Sequence, residues 1–136
     1  MSEEKEYIQF ELTNELIEQV EFLVENQKDK ELQELLNDFH YADIAEILDE
    51  LNLEDAMYVI TRLDSETTSG VLMELDEDNR EKVLKNLSNK EIAEEVEELD
   101  TDDAADIIAE LPEGRQQEVI SHIEDEEHKE EIRELL

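Results

Sequence analysis

From Tyr41 to Leu136 the apolar residues recur every twelve positions. Blocks beginning at Tyr41, Leu53, Ser65, Glu77, Asn89, Thr101, Glu113 and Asp125 align without a gap. The eighth position is apolar in every block: Leu48, Ile60, Leu72, Leu84, Val96, Ile108, Ile120 and Ile132. So is the eleventh, from Leu51 through Leu63, Leu75, Leu87, Leu99, Leu111 and Ile123 to Leu135. The seventh is apolar except at Glu95 and Glu131. Residues 29–40 fit as an earlier block, with Leu32, Leu35, Leu36 and Phe39 in phase.

Positions four, seven, eight and eleven have helical spacing within a block. Between blocks the phase slips. At about 100° per residue, twelve residues leave the next stripe rotated by roughly 120°. One continuous helix would smear its apolar face around the whole circumference, so the chain must break between blocks. The boundaries carry suitable residues. Ser88 and Glu91 have capping-box spacing; Asn52, Asp64, Asp76 and Asp100 stand at N-cap positions; Pro112 follows Leu111. The pattern predicts short helices of about eight or nine residues, each too short to persist alone and stabilised by its neighbours, as in a solenoid. A longer helix is expected over 13–25, using Leu16, Ile17, Val20, Leu23 and Val24. Residues 1–9 read as a flexible tail and 10–136 as one domain. The predicted fold class is all-α: a superhelical stack of short helices, an α-solenoid of twelve-residue repeats, preceded by the longer N-terminal helix.

Composition agrees with helix. Two Gly and one Pro are too few for a turn-rich β fold, and the apolar residues are mostly Leu, Ile, Val and Ala. Charge changes the picture more. Forty-four Asp and Glu against eleven Lys and Arg give a formal net charge of −33. That field repels phosphate backbones and anionic lipid surfaces and attracts cations or basic partners. Nucleic-acid binding is thereby excluded. No Cys is present, which removes disulfides and thiolate chemistry. The acidic start does not resemble a signal peptide, and no apolar run reaches the roughly 20 residues that span a bilayer. Direct membrane insertion by this segment is not expected, and a cytoplasmic location is.

Two runs carry a family resemblance. His40-Tyr41-Ala42-Asp43-Ile44-Ala45-Glu46-Ile47-Leu48-Asp49-Glu50-Leu51 resembles the opening motif of the MgtE N domain. Leu99-Asp100-Thr101-Asp102-Asp103-Ala104-Ala105-Asp106-Ile107-Ile108-Ala109-Glu110-Leu111-Pro112 resembles its later signature. The resemblance covers about residues 30–136. Tyr41 and Thr101 stand where the family favours Pro, a change in local rigidity at two helix starts. The resemblance implies the intracellular domain of a magnesium transporter or channel. In that family it is followed by CBS domains, a connecting helix and a membrane-spanning homodimer, and Mg2+ between the N and CBS domains favours the closed pore. Leu136 precedes any CBS segment, so the chain reads as an excised domain or a free-standing relative.

Mg2+ takes hard oxygen ligands and often needs only one or two carboxylates. Asp102 and Asp106, four apart on one helical face, are the expected metal ligands, since the matching acidic positions of the family run face the CBS domain. Asp103 is rotated from them by about 100° and is expected to serve the helix start. Acidic pairs such as Glu94 with Glu98 share that spacing by composition alone, and first-turn carboxylates complement the helix dipole in any case. His40 is expected to cap or pack at a helix start. Glu118 with His122 reads as a solvated face despite ligand-like spacing, and His128 stands among charges. No phosphate loop, nucleophile constellation or H-E-x-x-H is present, so an enzyme is not expected. The alternative function is an acidic helical-repeat interaction scaffold resembling a flagellar motor switch protein. Any Mg2+ binding by the isolated domain is expected to be weak, because half of the site would lie on the partner.

Overall fold

The computed structural model describes residues 11–136; the tail expected over 1–9 lies outside them. The described residues form ten α-helices, with no strand among them. They divide into two compact units, one ending at Leu63 and one spanning Asp64–Leu136.

The first unit holds α1 (Asn14–Glu25), α2 (Asp29–Leu36), α3 (Tyr41–Glu50) and α4 (Leu53–Arg62). Thr13 caps α1 by accepting from the Leu16 N–H. That helix ends in a Schellman motif: Lys28 N–H donates to the Leu23 carbonyl and Gln27 N–H to that of Val24. The motif needs a left-handed residue, and Gln27 supplies it at φ 53° where Gly is the usual choice. Polar groups tie α2 to α4. Tyr58 donates to Asp29 at 2.5 Å, Gln33 donates to the Arg62 carbonyl, and the Arg62 guanidinium stacks 3.6 Å from the Tyr58 ring centre.

The second unit holds α5 (Ser65–Glu74), α6 (Glu77–Lys85), α7 (Asn89–Glu97), α8 (Thr101–Ala109), α9 (Glu113–His122) and α10 (Glu126–Leu135). Helices α3 to α9 each begin on the first residue of a twelve-residue block; α10 begins one residue late, with Asp125 as its N-cap. Helices two apart pack together: α7 lies against both α5 and α9, and α8 against α10. The eighth block position is buried throughout. The seventh is buried wherever it is apolar, while its two exceptions diverge: Glu131 is exposed and Glu95 is buried.

Short helices leave many end groups without intrahelical partners. At the starts, Asn52, Asp64 and Asp76 accept from the N–H three residues on, and Ser88 and Glu91 form the reciprocal box at 3.0 and 2.8 Å. At the ends, side chains from elsewhere close the carbonyls. Arg80 donates to the carbonyls of Leu72 and Leu75 while pairing bidentately with Glu110. Arg115 donates to the equivalent carbonyls of Leu84 and Leu87 and to Asn89. Gln116 serves the Leu111 carbonyl. This explains why the fourth block position accepts Arg80 and Gln116 where the pattern predicts an apolar residue: both side chains reach back to the preceding helix end.

Arg115→Ala is expected to destabilise the chain by about 1–3 kcal/mol in urea unfolding, since it removes a charged donor from the Leu87 carbonyl and leaves that of Leu84 with backbone donors only. Arg133→Ala, which removes an exposed ion pair with Glu130, should change stability by no more than about 0.5 kcal/mol. Equal losses in the two variants would refute the carbonyl clamp. Gln27→Gly relieves the left-handed backbone and should stabilise by up to about 1 kcal/mol in the same assay.

Candidate metal-binding site

Helix α8 starts at a cluster of carboxylates. Asp100 is its N-cap, with extended backbone (φ −60°, ψ 153°), and its side chain makes no capping bond. Asp102 and Asp103 follow in the first turn, and Asp102 accepts from the Asp103 N–H at 3.0 Å. Asp100, Asp102 and Asp103 each offer a carboxylate oxygen, and these oxygens lie within 4.8 Å of one another. Asp100 and Asp102 are exposed and Asp103 half-buried. It is the only such trio among the described residues. No ion pair of the described residues involves any of the three or Asp106. The Asp103 carboxyl is held above the usual aspartate range by partial desolvation first, then by the charges of Asp102, Asp100 and Asp106.

The structure thus places Asp102 in a group with Asp100 and Asp103. Asp106 is exposed one turn further along α8, outside the group but close enough to act on Asp103. Helical rotation separates Asp103 from Asp102 and Asp106 only where the backbone is regular helix on both sides. Asp100 is not helical, and an N-cap residue faces the third helical residue. That signal was available: Asp100 and Asp103 have the same spacing as Ser88 and Glu91.

The other candidates do not assemble. His40 is the N-cap of α3, its N–H donating to Asp43 at 3.3 Å. Glu118 and His122 lie exposed on α9, and Glu94 of α7 and its C-cap Glu98 are likewise exposed. His128 is half-buried on α10, its Nε2 without a partner. In the first unit an open cleft of about 520 Å³ is lined by Glu21, Glu25, Glu54 and Asp55, but no three of them bring oxygens together as the α8 start does.

The α8 trio suits a hard divalent cation. Ligand oxygens on an octahedral Mg2+ lie about 2.1 Å from the ion, hence up to about 4.2 Å apart, with water filling the remaining positions. Three carboxylates within 4.8 Å of one another can meet that demand with small side-chain rotations. Exposure of two of them leaves the ion's outer face open to water or to a second surface.

None of the described helices is long and apolar enough to cross a membrane. No curated protein matches the chain. The fold is similar to that in a crystal structure of the soluble part of a magnesium transporter, with a TM-score of 0.78 and 22% identity over 90% of this chain. The chain spans 48% of that structure's length. The family model of the MgtE intracellular N domain matches residues 39–136, which include both sequence runs and the α8 trio. Since that match covers well over half of the chain, the protein belongs to the family of MgtE intracellular N domains, which is not an enzyme family.

Proposed function

We propose that this chain is the regulatory, magnesium-sensing N domain of a magnesium transporter, acting on the cytoplasmic face of the membrane. Its partners would be the CBS domains and the dimeric membrane domain of the same transporter. The observation that carries the reading is the α8 start: three carboxylates within reach of one ion, with no cation paired to them. Asp102 and Asp103 offer first-turn carboxylates, Asp100 adds a side chain freed from capping, and Asp106 extends the negative face by one turn.

The mechanism is electrostatic. In a chain of net charge −33, an acidic face approached by another acidic surface is repelled. A divalent ion held by this face and completed by the other removes the repulsion and adds direct bonds. Ion binding then favours the docked arrangement only to the extent that the docked state binds the ion more tightly than the open one. A site completed by two surfaces meets that condition, because the isolated domain supplies only part of the ligand set. Docking would bias the pore towards closure.

Mg2+ titrated into the chain at constant ionic strength should shift the amide resonances of residues 100–106 first and most, with weak affinity. Asp102→Asn together with Asp103→Asn should abolish those shifts. Uniform shifts at every acidic helix start would instead show plain screening and favour the interaction-scaffold reading. In a second assay, the chain should bind a CBS-domain pair from a transporter of this family only with Mg2+ present, and the double variant should weaken that binding by tenfold or more. Equal binding with Mg2+ and with ionic-strength-matched Na+ would overturn the sensor.

A further inference from the structure

The seventh block position is a core slot. Ile47, Val59, Val71, Val83, Ile107 and Val119 occupy it, all buried. In α7 the slot holds Glu95, which is only 8% exposed, and its Oε2 is buried without a hydrogen-bond partner. An ionised carboxylate in that position would lack both water and a counter-charge, the costliest way to bury a polar group.

No ion pair of the described residues involves Glu95, and Lys90, the one base on α7, is exposed. Helix α7 packs against α5, α8 and α9. The charged groups acting on Glu95 are Glu94 and Glu91 of α7, its C-cap Glu98, and Asp64, the N-cap of α5. All are acids. The ionisable side chains of α8 are all aspartates. On α9, Arg115 is committed to the Leu84 and Leu87 carbonyls and to Asn89, Glu113 and Glu118 add further negative charge, and His122 is exposed in the last turn.

We propose that Glu95 is a proton-operated switch in the second unit: protonated, it fills the apolar slot and seats α7 between α5 and α9; ionised, it loosens α7 from both. The proton is the ligand, and a rise in pH is the signal. The inference is independent of the magnesium reading, because Glu95 belongs to no cluster of ion-coordinating oxygens. Burial first, then the surrounding carboxylates, pushes its carboxyl from the ordinary 4.5 up to about 8. The direction of the effect follows. Below about 4.5 the folded and unfolded chains both hold the proton and the packing is at full strength. Between 4.5 and about 8 the folded chain holds a proton that the unfolded chain has released, so stability falls as pH rises. Above that range Glu95 ionises in place and the loss is complete.

The test compares the chain with Glu95→Gln and Glu95→Leu in thermal unfolding from about pH 5.5 to 9.5, clear of the isoelectric point near 4.1. Every side chain other than residue 95 is common to the three forms, so the difference between their curves isolates position 95. The unaltered chain should lose several degrees of midpoint across the range. Glu95→Gln should lose less than half as much and match the unaltered chain at the acid end. Carbon-13 NMR of the Glu95 carboxyl should show a midpoint near 8, and α7 amides should exchange faster at high pH in the unaltered chain than in the Gln variant. A carboxyl midpoint in the ordinary glutamate range, or parallel stability curves for Gln and Glu, would overturn the proposal. If the Leu variant fails to fold, the Gln variant and the carboxyl titration still decide it.

Discussion

Twelve residues do not make a whole number of α-helical turns, and the rest of this molecule follows from that mismatch. A repeat of twelve carries each apolar stripe about a third of a turn away from the last. The core can be continuous only if the backbone is broken and re-aimed at every repeat. Frequent breaks make short helices, and in a helix of nine or ten residues most backbone groups lie close to an end. The ends therefore dominate the polar energetics. Asn52, Asp64, Asp76, Ser88 and Asp125 answer for the starts, and Arg80, Arg115 and Gln116 for the finishes. The stripe of Leu, Ile and Val supplies the burial; these caps make the repeated breaks tolerable.

The same demand organises the charge. Acids at helix starts are favoured by the helix dipole and by capping, so a protein of many short helices has many stations for Asp and Glu. Two of the few cations, Arg80 and Arg115, go where a rigid fork of donors is most useful, at the carbonyl ends. Arg115 is thereby withdrawn from the task of balancing surface carboxylates, and Arg80 balances only Glu110. What results is an acidic surface with two of its four arginines turned to helix ends, and an α8 start whose aspartates have no basic neighbour paired to them.

Most of the fold could be read from the sequence because its cause is local. The apolar phase fixed the helix starts from Tyr41 to Glu113 to the residue, and Asn52, Asp64, Asp76 and Ser88 cap where their types and spacings indicated. What could not be read depends on contacts far apart in the chain. Arg80 and Gln116 sit in a slot the pattern marks apolar, and only the packed structure shows the carbonyls they meet. The candidate site was legible in part. Its location at the α8 start follows from the acidic run, but its membership does not follow from helical rotation, because Asp100 has left the helix. Asp103 comes into the group through the turn and Asp106 stays one turn away.

Glu95 and Glu131 show how far a sequence anomaly can be interpreted. Both break the same apolar position, and the sequence gives no reason to treat them differently. Glu131 lies on α10, exposed, where a carboxylate is hydrated at little cost. Glu95 lies on α7, with α5 on one side and α9 on the other, where hydration is lost. The α8 aspartates and Glu95 therefore present one excess of negative charge in two environments. Exposed carboxylates grouped around open solvent can be relieved by a hydrated ion, which keeps its waters and needs only a few oxygens. A single buried carboxylate has no room for such an ion, and the smallest available cation, the proton, is the one that removes the charge without adding volume. Burial thus decides which cation each acidic position can answer to.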